Sequence, residues 1–265
     1  MKLLAVVALA VACGGSHAPA AAPAGPGPAA QDYTATRFIP AKPTYALAAR
    51  SLRDAQRAIV DLVDSFGILA GLELDDVRSG LTNLLAVDAL AADAVTRMGI
   101  DLDGGFAMFS RGLHPTFVVH LSAPEQTQTF FDQQRERGMK TQSQLVDGVE
   151  LFTTQLADHV AVSWGVAKDW LWVHITLPVG VDEGTSWFDP TPGAPEWTAD
   201  WQYAQSGGKP ALVGFVDPRG LLAKISARIP DAMACGHLID PVGRLGFSID
   251  FAAPSAPLRV RRSPD

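Results

Sequence analysis

Residues 140–176, KTQSQLVDGVELFTTQLADHVAVSWGVAKDWLWVHIT, decide the fold. Two β-prone runs, Lys140–Val146 and Val149–Thr154, flank Asp147-Gly148. Asp-Gly supplies the two positive-φ positions that a tight type I′ turn demands, and that turn suits the twist of the strands it joins. A second pair of runs, His159–Val166 and Trp170–Thr176, flanks Ala167-Lys168-Asp169 and reads as another hairpin. Hairpins join antiparallel neighbours, so this stretch predicts antiparallel pairing.

The flanking sequence agrees. Phe106–Ser110 and Thr116–Leu121 pair across Arg111-Gly112-Leu113-His114-Pro115. A recurring unit surrounds them: a proline opens a short β-prone run, and an N-cap residue then starts a helix. It occurs at Pro43–Arg50 followed by Ser51, at Pro115–Leu121 followed by Ser122, and at Pro210–Val216 followed by Asp217-Pro218. Proline suits a strand's first residue, and Ser or Asp accepts the orphan N–H bonds of a helix start. In the first of these helices Leu52, Ala55, Ile59, Leu62, Val63 and Phe66 share one face, and Gly71 can end it. Further helices are expected near Asp76–Ala86 and Ala89–Met98, the latter stopped by Gly99, and at Glu125–Arg137 behind Pro124. Beyond Asp182–Asp200, which is turn-rich, come a strand after Pro210, a helix to about Arg228 and a short helix near Asp231–His237. Strands near Arg244–Phe251 and Leu258–Arg262 follow. Hairpins with helices between them mean an α+β class: a mainly antiparallel sheet with interspersed helices, occupying residues 32–265. The chain stops soon after the last β-like run, as a shortened member of a longer family would.

The first 31 residues read differently. Lys2 precedes an unbroken apolar run, Leu3–Ala12, too short to span a bilayer. A basic start, a short apolar segment and small residues at its end describe a secretory signal over residues 1–12. Ala10-Val11-Ala12 satisfies an ordinary signal-peptidase site, while Cys13 directly after it opens a second reading. His17–Gln31 is almost wholly Ala, Pro and Gly, unable to build a core and suited to an extended spacer. Loss of the signal would remove Lys2 and no acid, taking the formal charge from −7 to −8. That balance argues against a nucleic-acid partner and against electrostatic docking on anionic lipid. A hydrophobic share of 48% fits a packed domain.

Leu9-Ala10-Val11-Ala12-Cys13-Gly14-Gly15-Ser16 resembles a bacterial lipobox, departing from it in carrying Ala10 where Leu is usual. The resemblance implies that Cys13 is lipidated and becomes the N-terminus of a membrane-anchored protein, with residues 13–31 as lipidated Cys and spacer. Gly14, where Asp would favour inner-membrane retention, implies the outer membrane of a Gram-negative envelope. Cys235 then has no partner in the chain, which excludes a disulfide framework. More widely, Phe38-Ile39-Pro40 with Thr44-Tyr45, the Gly99–Gly105 step into a strand, and the Asp147-Gly148 hairpin are similar to uncharacterised secreted lipoproteins of a domain-of-unknown-function type. That similarity spans roughly residues 36–260 and implies an envelope location without an activity.

No motif names a reaction. Asp101-x-Asp103-Gly104 starts like a calcium loop but puts Gly105 and Gly112 at positions five and twelve, so a tight turn feeding a strand is the expectation. His114 with His120, and Cys235 with His237, lack zinc spacing. G-x-S-x-G, S-x-x-K, G-x-G-x-x-G and P-loop patterns are missing. Neither a metal nor a cofactor is expected. The most uneven feature is tryptophan: all six lie between Trp164 and Trp201. Trp170 and Trp172 share a strand face, and Trp197 and Trp201 are i,i+4 on an expected helix. These rings either fill the space between sheet and helix, the favoured reading, or line a ligand groove built from Trp170, Trp172, Trp187, Trp197 and Trp201. Trp187, in a turn-rich loop beside Phe188, is the one expected to be exposed. The resulting expectation is a non-enzymatic envelope lipoprotein that binds or interacts structurally, with a protein or glycan as its partner. The alternatives are a carrier for an apolar or sugar ligand, and a hydrolase whose site is assembled from distant residues.

Overall fold

The computed structural model describes residues 33–70, 73–85, 87–178, 184–191, 210–226, 243–250 and 258–262. Ten strands form one antiparallel sheet: β1 Tyr45–Ala49, β2 Phe106–Ser110, β3 Thr116–His120, β4 Gln142–Val146, β5 Val149–Ala157, β6 Val160–Ala167, β7 Trp170–Thr176, β8 Leu212–Val216, β9 Leu245–Ile249 and β10 Leu258–Arg262. Their order is β10-β9-β8-β1-β2-β3-β7-β6-β5-β4. The described helices are α1 Leu52–Ala70, α2 Leu74–Leu85, α3 Ala92–Arg97, α4 Pro124–Glu136 and α5 Pro218–Ser226, with a 3₁₀ turn at Thr34–Phe38. The fold is therefore α+β, as the hairpin pattern predicts.

The expected 140–176 hairpins are both present, and a third joins them. Asp147 (φ 50°) and Gly148 (φ 79°) supply the two left-handed positions between β4 and β5. Lys168 (φ 57°) turns β6 into β7. Between them the chain reverses at Asp158-His159, with His159 at φ 61°, so β4 to β7 run as one meander.

Both faces of the sheet's middle are covered, which is why β7 is buried from Trp170 to Ile175 rather than alternating with polar residues. Leu171, Val173 and Ile175 face the helices, joining Leu52, Ala55 and Ala58 of α1 and Val95 of α3. Helix α4 docks on this side through Phe131, stacked on Trp164 at 4.6 Å, while Phe152 stacks on the same indole at 5.7 Å. Trp170 and Trp172 face the other way, into a core with Tyr33, Phe38, Phe109, Phe188 and Phe215. Phe38 meets both indoles edge-on, at 5.0 and 5.3 Å. Each such ring contact adds about 0.5–1.5 kcal/mol beyond burial. The Tyr33 hydroxyl donates to the Pro210 carbonyl at 2.6 Å, tying the 3₁₀ turn to the start of β8.

The strand-then-cap units are only partly as expected. Ser51 Oγ accepts from Asp54 N–H at 3.1 Å, and Asp217 Oδ1 accepts from Gly220 N–H at 3.0 Å, so both cap their helices. Ser122 does not cap α4, whose N-cap is Ala123 with Pro124 in the first turn. The Ser122 N–H and hydroxyl instead both donate to the Gly99 carbonyl, at 2.9 and 3.2 Å. Proline at the helix start already removes one orphan donor, so the serine is free to hold the neighbouring turn. Gly99 ends the segment after α3 at φ 83°. A Cβ there would fall 2.2 Å from the Ala123 carbonyl oxygen, so both conformation and space require glycine. The short helix expected near Asp231–His237 lies outside the described residues, as do Cys235 and the residue 1–31 signal and spacer, Cys13 included.

Candidate functional site

The sheet's core-forming face changes character beyond β7. Its register brings one residue from each of five consecutive strands into a row: Gln142 pairs with Thr153, Thr153 with Ser163, Ser163 with His174, and His174 with Thr116. Every member is polar. On β2 and β1 the same row continues through Phe109 and Ala46, which are apolar and buried. The polar half borders a cavity of about 560 Å³. Its walls are Gln142, Ser143 and Gln144 from β4, Leu151, Thr153 and Gln155 from β5, Ala161 and Ser163 from β6, and His174 and Thr176 from β7. Leu177, Pro178, Gly184, Thr185 and Trp187 border it from beyond β7, with His114 and His159 contributed by the β2–β3 and β5–β6 connections.

Hydrogen bonds fix its deep side chains. Thr153 Oγ1 and Ser163 Oγ are 2.8 Å apart. Thr116 Oγ1 lies 2.9 Å from His174 Nδ1, with Thr116 fully buried. His114 Nδ1 accepts from the Leu177 N–H at 3.0 Å, so the His114 proton sits on Nε2 and the ring is neutral in this arrangement. That bond also holds the start of the segment beyond β7. Trp187 lies flat on His174, with ring centres 5.1 Å apart and planes 8° from parallel. Leu151 reaches across the facing strand because β6 carries Gly165 there; a Cβ on Gly165 would fall 2.4 Å from Leu151 Cδ2.

The cavity's described lining is rich in hydroxyls, amides and imidazoles. Among its described lining residues there is no Asp, Glu, Lys or Arg. Its edge amides differ from its floor: Gln142 and Gln144 are exposed, whereas Ser163 and His174 are buried. Such a surface offers hydrogen bonds of both senses and no fixed counter-charge for an ionic ligand. Ser163 and His174 are cross-strand neighbours, but the serine hydroxyl bonds Thr153 rather than the imidazole. This is not the nucleophile–base contact that acyl transfer uses.

The tryptophans divide. Trp187 borders the cavity, but it is only 3% exposed, contrary to its expected exposure. Stacking on His174 and edge contact with Phe188 at 5.7 Å draw it inward, which its turn-rich local sequence does not reveal. Trp170 and Trp172 share one face as expected, but they lie in the core, 3% and 0% exposed, and do not line the cavity. Trp197 and Trp201 lie outside the described residues. The polar row itself escapes sequence reading. Its only local trace is the period-two placement of Gln142, Gln144, Thr153 and Gln155 on two adjacent strands.

Asp101-x-Asp103-Gly104 is the expected turn: Asp101 Oδ1 accepts from Asp103 N–H at 3.0 Å, and Asp101 C=O accepts from Gly104 N–H at 3.2 Å. Its other carboxylate oxygen lies 2.9 Å from His120 Nδ1, and Asp169 Oδ2 lies 3.2 Å from Nε2 of the same ring. The three side chains lock the loop before β2 to the β6–β7 turn.

No protein-family model matches the chain, and no curated protein matches it in sequence. Among solved structures it is similar to crystal forms III and IV of TP0453, each at 10% identity and a TM-score of 0.36. Those alignments cover 81% and 80% of this chain and 74% of TP0453 in both cases. A likeness this distant assigns no activity and no residue.

Proposed function

We propose that this chain is a lipid-anchored protein of the bacterial cell envelope that works by binding, with the cavity over β4 to β7 as its binding site. The observation that carries the binding half is the cavity itself. Hydrogen-bonding side chains converge from four adjacent strands on a concave space of about 560 Å³, within the range of small-molecule sites. The envelope half rests on Leu9–Ser16 and on the Ala/Pro/Gly-rich spacer after it. Two or more acyl chains on Cys13 would anchor the chain stably, at about 0.8 kcal/mol per buried CH₂.

Intact mass and detergent-phase partitioning of the protein from its native membranes, beside a Cys13→Ala variant, test the anchor. The expected result is acyl mass on the native form and its recovery in detergent, with the variant aqueous or unprocessed. An unmodified, aqueous native protein overturns the anchor.

A further inference from the structure

We infer that the cavity takes a neutral, hydroxyl-rich ligand of sugar type, and that the cross-strand row is what reads it. This rests on the proposal that the cavity is a binding site and goes further by naming the ligand's chemistry.

Three observations converge. The first is charge. Among the described lining residues there is no Asp, Glu, Lys or Arg, and the titratable side chains are the imidazoles of His114, His159 and His174, so none of them offers a permanent counter-charge to a carboxylate, phosphate or ammonium ligand. The second is the type of hydrogen bond on offer. Gln142 and Gln144 each present a donor NH₂ and an acceptor C=O, and Thr153 and Ser163 present hydroxyls that do both. Sugar hydroxyls are likewise both donors and acceptors, so every pairing can be satisfied in one sense or the other. A hydrocarbon ligand would bury the Gln142 and Gln144 amides without giving them partners. The third is spacing. Gln142, Thr153 and Ser163 stand on adjacent strands in register, with the backbones about 4.8 Å apart and the Thr153 and Ser163 hydroxyls paired at 2.8 Å, so the Gln142 amide and that hydroxyl pair can meet one ligand side by side.

The test is a calorimetric titration of the full-length protein in detergent micelles. The probes are neutral glucose-, galactose- and N-acetylglucosamine-based oligosaccharides, a uronic-acid oligosaccharide, a neutral hexapeptide and a long-chain fatty acid. Thr153→Val and Gln144→Leu are titrated alongside, with thermal melts to show that they fold. The expected result is saturable binding of a neutral oligosaccharide in preference to the uronic-acid one, weakened about fivefold by each variant, the effect of one lost hydrogen bond. If the hexapeptide or fatty acid is preferred, and both variants change its affinity, the cavity stands as a site and the sugar assignment falls. Equal saccharide binding by wild type and both folded variants overturns the row as the reader. If no probe saturates, the sugar assignment and the cavity's binding role fall together.

Discussion

Gly214→Ala perturbs the sheet where β8 passes between β1 and β9. Gly214 pairs with Leu47 on one side and with Phe247 on the other. A Cβ at this position would fall 2.5 Å from the Ala46 carbonyl oxygen, 2.6 Å from Phe247 Cζ and 3.0 Å from Leu47 Cβ. The phenyl ring can tilt, but the carbonyl belongs to the β1 main chain, which is paired to β2 and β8 at once. Relief therefore shifts a ladder rather than a rotamer. Overpacking of this kind costs about 1–3 kcal/mol, and a main-chain contact places it at the upper end. Alanine returns about 0.4–1 kcal/mol by restricting the unfolded chain. The expected net loss is about 2 kcal/mol. For a domain of this size that lowers Tm by about 4–8 °C. Gly80→Ala is the matched control. Gly80 lies inside α2 with nothing within 4 Å of a new Cβ, so the same substitution should raise stability by about 0.5–1 kcal/mol. Thermal unfolding followed by far-UV circular dichroism reads both. A Gly214→Ala protein that melts with or above the wild type, beside a Gly80→Ala protein that rises, would refute the close approach of β1, β8 and β9.

Thr44→Val removes a buried hydroxyl that donates to the Gly112 carbonyl at 2.6 Å; urea unfolding should show a loss of about 1–3 kcal/mol with an unchanged m-value. Asp217→Ala should cost about 1 kcal/mol by uncapping α5, whereas Ser122→Ala, which uncaps nothing, should cost only a few tenths in the same assay. Leu145→Lys replaces a side chain 72% exposed on the edge strand β4; Tm should stay within the error of surface substitutions, and light scattering should show less association at high concentration.

The parts of the fold that the sequence makes legible are those whose cause is local. Asp147-Gly148 specifies its own turn, and Ser51 and Asp217 sit within one helical turn of the N–H groups they cap. The β5–β6 reversal is hidden for the opposite reason. Asp158-His159 carries no glycine, and His159 enters the left-handed region because the strands on either side hold it there. Sheet order is less legible still. β1 lies between β2 and β8, and nothing near Tyr45 announces that Leu212–Val216 will arrive beside it. Trp187 fails in the same way. Its neighbours in sequence are turn formers, while its partner in space, His174, stands on a strand whose periodicity says which face the ring takes and not what covers that face.

The polar row needs four registers at once, so no single segment contains it. Once assembled, it has two tiers. The deeper members satisfy one another: half-buried Thr153 with buried Ser163, and Thr116 with His174. A hydroxyl so paired can remain beneath an apolar neighbour such as Leu151 without the full desolvation penalty of an unpaired one. The exposed tier is different. Gln142 and Gln144 stand on the sheet's edge strand with their amides at the rim of the cavity. Nothing about packing requires two long amides there, since an exposed edge strand is served as well by charge, which also discourages stray pairing. The β4 strand carries no charge of either sign. An amide rim above a floor whose hydroxyls pair with one another leaves Gln142 and Gln144 as the side chains a ligand would meet first.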